Sequence, residues 1–128
     1  MHRLARLTVA TVAVIALAAC GSGAAATGTP GAAAGDPCAK STASGTVAAG
    51  IKDFAFDPST VTAKVGDVIT WTNNGAAVHT ATIDSAAACD TGTVAAGATG
   101  SLTFSVAGSY AFHCKIHSSM KGTITITG

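Results

Sequence analysis

The stretch Tyr110-Ala111-Phe112-His113-Cys114-Lys115-Ile116-His117-Ser118-Ser119-Met120-Lys121-Gly122, followed by Thr123-Ile124-Thr125-Ile126-Thr127, sets both the fold class of this chain and what it can hold. On either side of a short loop, large apolar residues take every second position, the pattern of half-buried β-strands. Between them stand a thiol, an imidazole and a thioether at spacing C-x2-H-x2-M. Thiolate and thioether are soft donors, and imidazole suits several first-row metals.

Two His, one Cys and a weak, long axial Met form the donor set of a blue (type 1) copper centre. A second His is still needed. Strand parity turns His113 away from the side taken by Cys114, so beyond the N-terminal segment only His79 remains. The expected metal ligands are therefore His79, Cys114, His117 and Met120, around one copper ion. In the run Val78 to Asp84, His79 shares a face with Ala81 and Ile83; Cys114 shares one with Tyr110 and Phe112. Both ligands then point to the core from a strand end, with the Lys115 to Met120 loop as a roof. Taken singly, each has a plainer use: a buried Cys as a small hydrophobe, a Met as core filler, a His at the surface. Zinc is the competing metal, but its sites favour Cys, His and carboxylate over thioether.

Further runs alternate in the same way. Val61 to Val65 and Val68 to Thr72 flank Gly66-Asp67, with Ile69 and Trp71 on one face; Leu102, Phe104 and Val106 alternate with Thr103 and Ser105. Ser85 to Ala88 has the composition of a helical turn. Short strands between turn signals, with no long helical period, predict an all-β, two-sheet antiparallel sandwich.

The N-terminal region reads differently. Arg3 and Arg6 precede an apolar run from Leu7 to Ala19, too short for the roughly 20 residues of a membrane-spanning helix. The pattern is that of a secretory signal peptide over residues 1–19. It ends in Leu17-Ala18-Ala19-Cys20-Gly21-Ser22, which resembles the bacterial lipoprotein box and implies lipidation at Cys20. Residues 20–44 read as the lipidated N-terminus and an Ala/Gly-rich tether, and residues 45–128 as the folded domain. Beyond residue 19, five Lys stand against six Asp. That balance offers no basic stripe for nucleic acid and no polybasic membrane patch, so membrane attachment rests on the lipid. Of four Cys, Cys38 and Cys89 are left without a role, and in an exported protein such a pair is expected to form a disulfide.

The segments Phe54-Ala55-Phe56-Asp57-Pro58, Val61-Thr62-Ala63-Lys64-Val65-Gly66-Asp67 and Thr70-Trp71-Thr72-Asn73 resemble the first half of a plastocyanin-like cupredoxin. The Cys114 to Met120 loop is similar to that of the amicyanins. The resemblance spans roughly Gly45 to Gly128 and implies an eight-stranded Greek-key sandwich, one copper ion and one-electron transfer. Two positions depart from the family pattern: Ile116 replaces a frequent Pro, and Thr80 replaces an Asn whose amide ties the ligand loops together.

Together these readings predict a monomeric electron carrier rather than an enzyme, since no second metal constellation or carboxylate pair appears. It is tethered at the extracytoplasmic face of the membrane. Redox protein donors and acceptors are expected to dock near His117, over Ala76, Ala77, Val78 and Ile116, with Lys115 and Lys121 at the margin. The alternative is a copper-binding storage or delivery protein.

Overall fold

Alternation decides which residues turn inward. In Val68–Asn73, Ile69, Trp71 and Asn73 are buried while Val68, Thr70 and Thr72 are only half so. The same parity buries Val61 and Ala63 in one strand, Ile124 and Ile126 in another, and Leu102 and Phe104 in a third. The computed structural model describes residues 35–128, and they form ten strands. These are β1 (Cys38–Ser41), β2 (Val47–Lys52), β3 (Ala55–Asp57), β4 (Thr60–Lys64), β5 (Val68–Asn73), β6 (Thr82–Ile83), β7 (Ala86–Asp90), β8 (Thr99–Phe104), β9 (Gly108–His113) and β10 (Lys121–Thr127). One sheet has the order β1-β8-β5-β2-β3 and the other β4-β10-β9-β6-β7. Their inner faces enclose one core, in which Phe112 packs on Phe56 and Trp71 at ring separations of 4.5 and 5.6 Å.

The all-β sandwich expected from the periodicity is present, with differences in detail. Its sheets are mixed rather than wholly antiparallel, because β2 pairs parallel to β5, and β4 parallel to β10. The cause is the Gly66-Asp67 turn, where Gly66 has φ 88°. It carries the chain from β4 in one sheet to β5 in the other, so these neighbours in sequence never pair. Ten strands replace the eight implied by resemblance, and Ser85 to Ala88 is no helical turn: Ala86 already pairs with Ile83 in a β6–β7 hairpin. Val106 lies past the end of β8 and is 52% exposed, outside the alternating set.

The folded domain also begins earlier than residue 45. β1 pairs with β8 from Cys38↔Phe104 to Ser41↔Ser101, and Cys38 is disulfide-bonded to Cys89 of β7. Ladder hydrogen bonds and a covalent link hold residues 38–41, despite a composition poor in large side chains. The signal peptide, Cys20 and the tether up to residue 34 lie outside the described residues. Among the described residues no helix is long and apolar enough to cross a membrane.

Candidate metal centre

Three candidate ligands come from two places in the fold. β5 ends at Asn73, which keeps the inward parity of Trp71 but carries an amide. Buried at the core's end, that amide donates to the carbonyls of Ala77 (2.7 Å) and Val94 (2.9 Å) and accepts the Gly75 N–H (2.9 Å). It thereby shapes the loop that delivers His79. His79 itself is clamped by a two-way bridge to Val94, its N–H donating at 3.1 Å and its carbonyl accepting at 2.8 Å. Asn73 belongs to the quoted family segment, yet only its burial reveals this task.

Cys114 and His117 come from the β9–β10 hairpin. The ladder ends at His113↔Lys121, so Cys114 and Met120 face each other across the start of the loop. The Cys114 N–H donates to the Met120 carbonyl (3.0 Å), and the Met120 N–H to the His117 carbonyl (2.9 Å). The spacing C-x2-H-x2-M is thus a hairpin loop with His117 at its apex. Behind it, the Phe112 ring lies across Gly122, where a Cβ would come within 2.5 Å of the ring and 2.6 Å of the Ser59 carbonyl oxygen.

The donor atoms converge. Cys114 Sγ lies 3.8 Å from His79 Nδ1 and 3.7 Å from His117 Nδ1, and the two nitrogens are 3.1 Å apart. A point equidistant from all three is about 2.1 Å from each, close to the bond lengths of about 2.0–2.1 Å to nitrogen and 2.3 Å to sulfur made by zinc, copper's neighbour in the first row. The residues present therefore fit a copper ion in size and in donor chemistry. His79, Cys114 and Met120 are buried, whereas His117 is half-buried. Met120 adds its thioether-bearing side chain, 1% exposed, to the same loop. His113 turns away, as its parity requires, and its Nδ1 meets Asp84 Oδ1 at 2.5 Å.

Thr80, where the family pattern often has Asn, still joins the two ligand loops. In place of the family's Asn amide, its buried hydroxyl accepts the Lys115 N–H (2.9 Å) and bonds the Thr82 hydroxyl (3.2 Å). The tie between ligand loops is kept by a shorter side chain. The Thr80 backbone N–H also donates to Cys114 Sγ at 3.4 Å. Hydrogen bonds to the sulfur are among the groups that tune such a site.

Two residues of the β2–β3 hairpin turn border the centre and were not legible as site residues. Phe54 has φ 64°, a conformation that costs a non-glycine residue of order 1–3 kcal/mol. The residue is 61% exposed, and its ring stands edge-on to His117 at 4.9 Å. Asp53 accepts the backbone N–H groups of Ala76 (2.8 Å) and Ala77 (3.0 Å) on Oδ1. The Ala77 N–H chiefly holds its carboxyl below the usual carboxylate range; Ala76 and the nearby His79 add to this against desolvation. Burial, with charge on His117, holds the His79 imidazole below its ordinary value, and Asp53 opposes them. The sequence signal was an Asp-Phe pair in a two-residue turn, a position where glycine would be ordinary.

An all-β sandwich with a His-Cys-His cluster at one end defines a class, and comparison with known proteins names it. The family model for the cupredoxin-like domain matches residues 10–126. A plastocyanin from Scenedesmus fuscus is 35% identical over 85 residues, covering 57% of this chain and 87% of that protein. The oxidised form of a proline-to-alanine variant of amicyanin superposes with a TM-score of 0.64 at 25% identity, covering 72% of this chain and all of that one. The Cu(I) form of a methionine-to-alanine variant of amicyanin does so at 0.63, with the same identity and coverage. The chain belongs to the cupredoxin-like family, whose metal is copper.

Proposed function

We propose that this protein is a one-electron carrier with a single type 1 copper site, which His79, Cys114 and His117 would form, with Met120 as a weaker fourth donor. The observation that carries the reading is the triangle of two imidazole nitrogens and one sulfur, assembled at the end of a rigid sandwich. Copper bound there would supply a one-electron couple; the rest of the task falls to the chain. Backbone bridges fix His79 through Val94 and Cys114 through Met120, so little has to rearrange between oxidation states. Burial of His79, Cys114 and Met120 keeps water from the centre.

His117, at the loop apex, is the electron port. Around it Phe54, Val78 and Ile116 are 61%, 43% and 48% exposed, and with Ala76 and Ala77 they make a small apolar docking patch for redox protein partners. Lys115 contributes less positive charge to the margin than its sequence position suggests, because it pairs with Asp90. A small patch suits weak, short-lived docking. The N-terminal sequence supports an exported protein anchored by acylated Cys20 at the extracytoplasmic face of the membrane.

Absorption spectra and voltammetry test the copper assignment. The oxidised, copper-loaded protein is expected to be intensely blue or blue-green. Cys114→Ser should abolish the colour, since a hydroxyl is a harder donor than a thiolate. Met120→Leu should keep the colour and raise the potential, because losing a weak thioether donor would cost Cu(II) more than Cu(I). A colourless oxidised copper protein, or colour that survives Cys114→Ser, overturns the assignment; an unchanged potential in Met120→Leu removes only Met120.

A further inference from the structure

The imidazole of His79 has one nitrogen without a partner. Its Nδ1 faces His117 and Cys114, whereas Nε2 is buried and makes no hydrogen bond. If Nδ1 binds the metal, as proposed above, Nε2 must carry the ring proton, and metal-bound imidazoles ordinarily direct that proton to a carboxylate, carbonyl or water. The acidic group facing it is Asp53, whose Oδ1 lies 3.9 Å from Nε2. That oxygen is held in place by the N–H groups of Ala76 and Ala77. Gly75 makes room for it: a Cβ there would come within 2.3 Å of Oδ1 and 2.8 Å of the Asp53 nitrogen. The carboxylate is thus fixed behind the buried ligand by a loop shaped to receive it.

We propose that Asp53 is a positioning residue for the copper centre, which faces the Nε2 proton of His79, favours that orientation of the ring and sets a negative charge behind that ligand. The charge has a direction of effect. With one thiolate and neutral imidazoles, the oxidised centre carries one more positive charge than the reduced one, so a nearby anion stabilises Cu(II) more and lowers the potential. Asp53 is 45% exposed, so solvent weakens the effect without cancelling it.

Asp53→Asn separates charge from scaffolding, because its amide oxygen can still accept the Ala76 and Ala77 N–H groups. In the copper-loaded variant the ratio of Cu(I) to Cu(II) affinity is expected to rise about tenfold, which is about 59 mV in the potential of a one-electron couple. The thermal midpoint of the metal-free protein should stay as in the unmodified chain. An unchanged potential overturns the proposal. A second measurement compares the two proteins: by nitrogen-15 NMR of their Cu(I) forms, the His79 Nε2 proton should exchange faster in Asp53→Asn than in the unmodified chain. Equal exchange rates in the two proteins would equally reject it. If the unmodified protein takes up copper without blue colour, the copper reading fails and this inference with it. A blue protein whose potential ignores Asp53→Asn rejects the inference alone.

Discussion

Gly75 and Asp53 show how little room a single residue has beside the centre. A methyl group at position 75 would overlap both the carboxylate and the backbone nitrogen of Asp53, so one of the two turns must move. Gly75→Ala is expected to destabilise the metal-free protein by about 1–3 kcal/mol, read from urea unfolding. It should also raise the potential in the direction expected for Asp53→Asn, since the carboxylate is pushed from behind His79. A variant as stable as the parent, with its potential unmoved, would show that the turn yields freely. At this scale the inward-facing His79 and Cys114 were legible in the sequence, because period two assigns faces within a strand. Asp53, Phe54 and the three-way bonding of Asn73 were not, because each acts through a residue remote in sequence or through a backbone conformation that no residue pattern announces.

Between elements, the β9–β10 loop and the segment leading into β6 meet at Thr80. Its hydroxyl is buried and satisfies the Lys115 N–H, which lies one residue beyond Cys114. Thr80→Val keeps the shape and strands that N–H. The expected cost is about 1–3 kcal/mol in stability, with a faster loss of copper to a chelator than in the parent. Equal chelation rates would mean that the hydrogen bonds within the Cys114 to Met120 loop hold the ligands unaided. A second link from the β9–β10 loop, Lys115 to Asp90 at the end of β7, predicts a pH dependence. Desolvation raises the Asp90 carboxyl, but the Lys115 ammonium and the Gly92 N–H outweigh it and hold the group below its ordinary value. A carboxyl depressed in the folded state stabilises the protein above its unfolded value of about 3.9 and loses that contribution as pH falls through the folded value. The metal-free Asp90→Asn variant should therefore be less stable than the parent at pH 6, with the deficit shrinking below about pH 4. An equal deficit at pH 6 and pH 3 would assign the loss to packing.

Across the whole molecule, the disulfide joins the edge strands β1 and β7, one from each sheet, and closes one side of the sandwich. Its half-cystines are 51 residues apart, so in the unfolded chain it closes a long loop. Replacing both Cys38 and Cys89 by Ser is expected to cost about 2–4 kcal/mol in guanidinium unfolding. Colour should survive, since neither residue is a donor or a hydrogen-bond partner of one. Blue colour lost together with the disulfide would mean that closure of this edge organises the ligand loops as well.

By itself the sequence determined the strand parities, the hairpin loop that spaces Cys114, His117 and Met120, and the all-β class, because these depend on residues within a few positions of one another. The tertiary structure alone decided the rest. It paired β2 with β5 and β4 with β10 in parallel, since alternation says which face a side chain takes but not which strand lies beside it. It drew β1 into the sheet through a ladder and a disulfide that its small residues do not announce. It brought Asp53 behind His79 and Phe54 beside His117, because the β2–β3 turn reaches the ligands only once both sheets have closed on the core.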